Sequence, residues 1–152
     1  MKTLDFETAD GRAIVYVGDA SEFAENDDVP AAVLGPLKGA VAWIEWIEAA
    51  RPRSGNALLE AILVALHAHG VGMVGAHVVP VGVPPDAPAV RRLAAFYSRH
   101  GFTDVSELVP WSEWPAMVAV VRPKPVHKKS AGARLDREIA EALSRRSSSK
   151  RC

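Results

Sequence analysis

Hydrophobic and polar residues alternate in two short runs near the start of the chain, residues 4–8 and 13–17, separated by Ala9-Asp10-Gly11-Arg12. Asp-Gly between alternating runs signals a hairpin, so these predict two antiparallel strands. Residues 18–30 are acidic and polar and predict a loop or a short helix; residues 31–39 favour neither helix nor strand. Residues 41–49 repeat Trp-Ile-Glu with a period of three, which fits neither regular element. Their β-branched and aromatic content, the glycine before them and Arg51-Pro-Arg-Ser-Gly55 after them predict a central strand. Residues 56–69 predict a helix. Leu58, Leu59, Ile62, Leu63, Val64 and Leu66 wrap most of its circumference, which predicts burial, and Gly70 stops it. Residues 71–79 form a buried strand bounded by Pro80, so strand, turn, helix and strand make a βαβ unit. After a loop, Asp86 is placed to cap a helix with Pro88 in its first turn. That helix carries Val90, Leu93, Ala94 and Tyr97 on one face and ends at Gly101. Residues 103–109 and 116–121 predict a second hairpin across Pro110-Trp-Ser-Glu-Trp-Pro115.

A chain of 152 residues with 49% hydrophobic and 24% charged residues predicts one globular domain. No apolar run reaches the length of a membrane span, and the first residues do not read as a signal peptide, so a cytoplasmic protein is expected. The one cysteine, Cys152, excludes an internal disulfide and argues against a thiolate metal site. A net charge of zero hides an asymmetry. Residues 1–121 hold 8 Lys/Arg against 15 Asp/Glu, and residues 122–152 hold 10 against 3. The organisation expected is therefore a domain over residues 1–122 and a basic tail over 123–152. The tail would contain a linker around Lys128-Lys129-Ser-Ala-Gly132, a helix over 133–146 and a disordered end. Its Leu135, Ile139 and Leu143 stripe would dock on the body or on a second subunit. A nucleic-acid role would rest on charge alone, because the tail has no aromatic residue to stack on bases.

Two segments suggest chemistry. Arg51, Arg53, Ser54, Gly55 and Asn56 lie where a strand turns into a helix. A helix N-terminus presents unpaired N–H groups and a partial positive charge, a glycine lets a phosphate approach the backbone, and arginines add charge-assisted contacts. The second segment is Phe96-Tyr97-Ser98-Arg99-His100-Gly101-Phe102, where a phenol closes a helix.

Together the two segments resemble the acetyl-CoA site of the Gcn5-related N-acetyltransferases, the GNAT family. Its turn reads Arg/Gln-x-x-Gly-x-Gly/Ala before a helix that often reads Ala-Leu-Leu, and Ala57-Leu58-Leu59 stand there in this chain. Aligned on those residues, Gly55 takes the last motif glycine and Arg53 the middle one; aligned on Gly55 and Ala57, Pro52 takes the Arg/Gln place. The family's Leu-Tyr-x-x-x-Gly-Phe segment is matched by residues 96–102, with Val90 where an Asn is common. The resemblance spans residues 41–121. It implies a central mixed sheet flanked by helices, an α/β (mixed α+β) fold, with acetyl-CoA as co-substrate and no metal. The cofactor would be held by Ile47, Ala49, Arg51, Arg53, Ser54, Gly55, Asn56 and Ala57. Tyr97 would protonate the departing thiolate, and Glu45 or Glu48 would activate the acceptor amine, a small molecule or a peptide.

Being three apart, Glu45 and Glu48 would point to opposite faces of a regular strand, so at most one serves the site. His77 would lie on a strand able to face the site, but like most lone histidines it reads as structural. The segment between the first hairpin and Val41 is too short for the two helices that shape the family's acceptor pocket. With Arg53 and Val90 at motif positions, this supports an alternative: a catalytically degenerate acetyltransferase fold that acts as a binding module through its basic tail.

Overall fold

The Asp10-Gly11 step turns the chain back on itself, as its sequence dictates. Strand β1 (Lys2–Thr8) pairs antiparallel with β2 (Gly11–Asp19). Gly11 has φ +146°, and a Cβ there would overlap the Glu48 carbonyl, so only glycine fits. The structure, a computed structural model, describes residues 1–25, 28–122, 129–130 and 132–133. Residues Met1–Arg122 form one unit. After it, Lys129–Ser130 and Gly132–Ala133 pair antiparallel as two-residue strands. From residue 134 onward, the helix expected over 133–146 lies outside the described residues, as does the chain end.

Six strands, β1, β2, β3 (Ala40–Ala49), β4 (Met73–His77), β5 (Thr103–Asp104) and β6 (Ala116–Val120), make one mixed sheet in the order β1-β2-β3-β4-β6-β5. β3 (Ala40–Ala49) is the central strand expected from its aromatic and β-branched residues. Helix α3 (Ser54–Ala68) carries the chain over to β4 (Met73–His77), which runs parallel to β3. The expected βαβ unit is thus present. Every other pairing in the sheet is antiparallel.

Helices cover both faces. On one, α3 and α4 (Pro88–Arg99) lie over Ala13, Val15, Ala42, Ile44, Val74 and Ala76. Leu58, Leu59, Ile62 and Leu66 of α3 are fully buried there, each worth roughly 1.5–3 kcal/mol. The burial is one-sided: Val64 is 47% exposed, so α3 is not enclosed around most of its circumference as its apolar content suggested. Asp86 does not cap α4; Ala87 holds the N-cap without a side-chain bond, and Pro88 supplies the preset first turn.

On the other face lie two short helices, α1 (Ala20–Phe23) and α2 (Val29–Leu34). They occupy the segment that the sequence suggested was too short for two. Asp19 and Asp28 make them possible, accepting hydrogen bonds from the backbone N–H groups of Ser21 (3.0 Å) and Ala31 (3.1 Å). Phe23, Val33 and Leu34 pack with Val41, Trp43 and Val109 in a second apolar cluster.

The expected strand over residues 103–109 is cut to β5 (Thr103–Asp104), which pairs with β6 (Ala116–Val120). The Asp104 carboxylate accepts the Ser106 N–H at 2.7 Å and starts a 3₁₀ turn, Ser106–Leu108. A side chain that offers the backbone this local partner ends a strand.

Candidate active site

The parallel register of β3 and β4 runs from Val41↔Met73 to Ile44↔Ala76 and stops. At the same place the β2–β3 register slips: Val15 faces Ile44 and Ile14 faces Trp46, which leaves Glu45 as the extra residue of a β-bulge. The bulge inverts the alternation of β3. Ala42, Ile44 and Ile47 face α3 and α4, whereas Trp43, Trp46 and Glu48 face the other way. The expectation that Glu45 and Glu48 occupy opposite faces assumed a regular strand, and this strand is not regular. Glu45 and His77 are the first positions beyond the last β3–β4 pair, on opposite banks of the split.

A cavity of about 560 Å³ occupies that split. On the α3/α4 side its wall is Ile44, Ile47, Leu93 and Tyr97; on the α1/α2 side it is Trp43, His77, Asp28 and Pro30, with Glu45 and Trp46 at the bulge. Glu48 lines no described cavity and stands opposite Arg12 on β2. Of the two carboxylates expected as bases, only Glu45 reaches the cleft.

Tyr97 is 1% exposed, its ring between Phe96 (5.4 Å) and Phe102 (5.0 Å). Burial pushes its phenol pKa up, so it stays protonated at neutral pH. Its hydroxyl has no hydrogen-bond partner among the described residues. His77, read from sequence as structural, lines the cleft. Its ring is 6.2 Å from that of Trp43, and its Nε2 is 3.0 Å from Ser112 Oγ. Burial holds its pKa below the ordinary histidine value, against a smaller opposing effect of the Trp114 backbone.

A second cavity, about 370 Å³, lies at the start of α3 and shares Ile47 and Leu93 with the first. Its apolar floor is Ile47, Ala49, Leu93 and Phe96, and its rim carries Arg51, Arg53 and Arg99 beside Gly55 and Asn56. Six of the eight residues expected to hold a cofactor meet here. Two do not. Ser54 is buried beneath the turn, with its hydroxyl 2.7 Å from the Asp10 carbonyl and 2.9 Å from that of Arg51, so it braces the loop. Ala57 is exposed and outside the cavity wall. Arg99, which the sequence reading passed over, stands two residues after Tyr97, with its guanidinium 5.9 Å above the Phe96 ring. Its place inside the tyrosine segment was the signal available for it.

Arg53 occupies the middle glycine position of one alignment, and it adopts a glycine-like backbone: φ is +77°, the one positive φ at a non-glycine among the described residues. The first-turn N–H groups of Gly55 and Asn56 have no intrahelical partners, and no N-cap side chain of α3 accepts from them. The Arg51 guanidinium donates to the Ala9 carbonyl at 2.9 Å and lies 3.3 Å from the Asp10 carboxylate, which ties the turn to the first hairpin. Three arginines and open helix N–H groups stand beside an apolar floor that shares Ile47 and Leu93 with the Tyr97 cleft, an arrangement that suits a long ligand with a polyanionic head and a neutral arm. Among the described residues no three His, Cys, Asp or Glu side chains converge on a metal-sized site, and no helix is long and apolar enough to cross a membrane.

No protein-family model matches this sequence, and no curated protein matches it. Among solved structures, the chain is similar to a protein from Desulfovibrio desulfuricans assigned to the GNAT family of acetyltransferases. The match has 17% identity and a TM-score of 0.40, and covers 74% of this chain and 62% of that one.

Proposed function

We propose that the chain is an acyl-CoA-dependent N-acyltransferase that moves the acetyl group of acetyl-CoA to an amine. One observation carries this reading: the arginine-rimmed cavity at the start of α3 and the Tyr97 cleft are adjoining spaces that meet at Ile47 and Leu93. Arg51, Arg53 and Arg99, with the N–H groups of Gly55 and Asn56, would hold the phosphates. Ile47, Ala49, Leu93 and Phe96 would line the path of the neutral arm. The bound co-substrate supplies an activated acyl carbon with a thiolate leaving group. Tyr97 holds a proton for that sulfur, since burial keeps the phenol un-ionised. Glu45 and Asp28 give the opposite end of the cleft a negative field that suits a cationic amine.

The binding-module reading drew on Arg53 at a glycine position. The left-handed backbone at Arg53 keeps the glycine-like turn and adds a cation to it, so that departure weighs less against a ligand site. Calorimetric titration with acetyl-CoA tests the proposal. A Cβ at Gly55 would sit 3.4 Å from the Phe96 ring, so Gly55→Glu sets a carboxylate among the three arginines. Saturable binding that disappears in this variant is expected. No binding to the unaltered chain at millimolar acetyl-CoA would overturn the proposal and turn attention to partners of the basic tail.

A further inference from the structure

We infer that His77, rather than a carboxylate, takes the proton from the acceptor amine, and that it does so through Nδ1. The inference rests on the acyl-transfer reading above and adds the base to it.

Position comes first. Along β4, Val74, Ala76 and Val78 face α3 and α4, so His77 faces the opposite side, toward Trp43 and the start of α2. Tyr97 comes to the same cleft from α4, on the other face of the sheet. An acyl group held in the split would have its acid on one face and His77 on the other. Direct transfer needs this separation, because the amine arrives on one side of the carbonyl carbon and the sulfur must be protonated as it leaves.

The tautomer comes second. The Ser112 hydroxyl has one hydrogen, and the Trp114 carbonyl takes it at 2.9 Å. The same oxygen accepts the Trp114 N–H at 3.2 Å. Toward His77, 3.0 Å away, it is left as an acceptor, so Nε2 carries the ring hydrogen and donates. Nδ1 then keeps a lone pair, and it has no partner among the described residues. Burial keeps the ring neutral near neutral pH. Imidazole is ordinarily a much stronger base than a carboxylate and better matched to work near pH 7. Glu45 lies exposed on the far bank, suited to attracting the ammonium group.

The proton count closes. Nδ1 takes one proton from the ammonium group, and the freed nitrogen pair forms the bond to the acyl carbon. The carbon–sulfur bond breaks with its electron pair on sulfur, which takes the Tyr97 proton. The second proton lost by nitrogen returns to the Tyr97 phenolate through water, and His77 releases its proton to solvent. One proton is released per turnover.

The test is a pH profile of kcat/KM for acetyl-CoA and a primary amine, with His77→Gln beside the unaltered chain. Glutamine keeps an N–H toward Ser112 and lacks the basic nitrogen. Among the described residues, the titratable groups facing His77 are Glu45 on β3, Asp28 before α2 and Tyr97 on α4, and the Ser112 and Trp114 side carries exposed Glu113. We expect the unaltered chain to lose activity as pH falls through the His77 pKa, below the ordinary histidine value. His77→Gln should lack that limb and run about 10²–10⁴-fold slower at neutral pH, the gap closing at high pH where the amine is already neutral. Acetyl-CoA affinity should be unchanged. Long-range ¹H–¹⁵N correlation on the unaltered chain should show Nδ1 unprotonated at neutral pH. A parallel profile in His77→Gln, or a hydrogen on Nδ1, overturns the assignment while acyl transfer stands. An unaltered chain that fails to bind acetyl-CoA overturns both.

Discussion

Asn56 and His100 meet across 44 residues of sequence, with His100 Nε2 2.9 Å from Asn56 Oδ1. The contact joins the first turn of α3 to the C-cap of α4, the two helices that border the arginine-rimmed cavity. The His100 ring also lies against Phe96, at 5.3 Å, and Phe96 lies against Gly55. Burial lowers the His100 pKa below 6.5; Glu60 opposes the shift and Arg99 adds to it. With a folded-state pKa below the unfolded value, the folded state binds fewer protons in that window. The contribution of His100 is therefore complete above pH 6.5 and is lost as pH falls through the folded pKa. Thermal melts between pH 7.5 and pH 5 should show a falling Tm, with a shallower fall in His100→Gln. A parallel fall in the variant would remove His100 from the acid response. The remaining slope belongs in part to His77, whose shift has the same sign.

Arg53 sets stability against affinity. Its left-handed backbone costs a non-glycine residue about 1–2 kcal/mol that glycine does not pay. Arg53→Gly should raise Tm by a few degrees, since glycine's extra freedom in the unfolded chain offsets part of the gain. It also removes one of three cations from the cavity rim, so acetyl-CoA should bind less tightly, most visibly at low salt. Calorimetry by heating and by titration reads both effects. A variant that gains stability and loses no affinity would place Arg53 outside the ligand site.

The hairpin, central strand β3, α3, the parallel return into β4 and the tyrosine segment were all legible in the chain, because each is encoded locally. Asp10-Gly11 is a turn by its own backbone preference, Gly70 ends a helix without help, and Leu58, Leu59, Ile62 and Leu66 announce a buried face. What stayed hidden depends on a second segment. The bulge at Glu45 exists only in register with Ile14 and Val15, so no pattern within β3 shows that Trp46 faces the opposite way from Ile44. The place of His77 in the cleft follows from where β3 leaves β4. Ser54 reads as a phosphate ligand in the sequence, but the Asp10 carbonyl, 44 residues away, takes its hydroxyl. The short α2 helix depends on the Asp28 cap and on Trp43 beneath it, signals too brief for periodicity to register.

Tyr97→Phe separates chemistry from folding. The hydroxyl has no partner among the described residues, so its removal should leave Tm nearly unchanged and acetyl-CoA binding intact. Turnover should fall about 10²-fold or more, the usual size of a lost general acid. Single-turnover measurements on a panel of amines would show whether the loss lies in the chemical step. Normal turnover would remove Tyr97 as the acid.

Gly75 and Trp43 link the core to the cleft. A Cβ on Gly75 would lie 2.8 Å from two carbons of the Trp43 ring and 3.5 Å from Leu34 of α2. Trp43 is 2% exposed, so the ring has little room to yield within the core. It borders the cleft, where its ring lies 6.2 Å from that of His77. Gly75→Ala should cost about 1–3 kcal/mol, the range for overpacking a dense core. It should also push the indole into the cleft, so under the proposed function KM for the amine rises while affinity for acetyl-CoA, proposed to bind on the opposite face of the sheet, holds. Melting curves and the two binding constants together check the chain of effects. A loss of stability with both constants unchanged would show that Trp43 moves away from the cleft, and equal losses at both ends would show that the split between β3 and β4 closes as a unit.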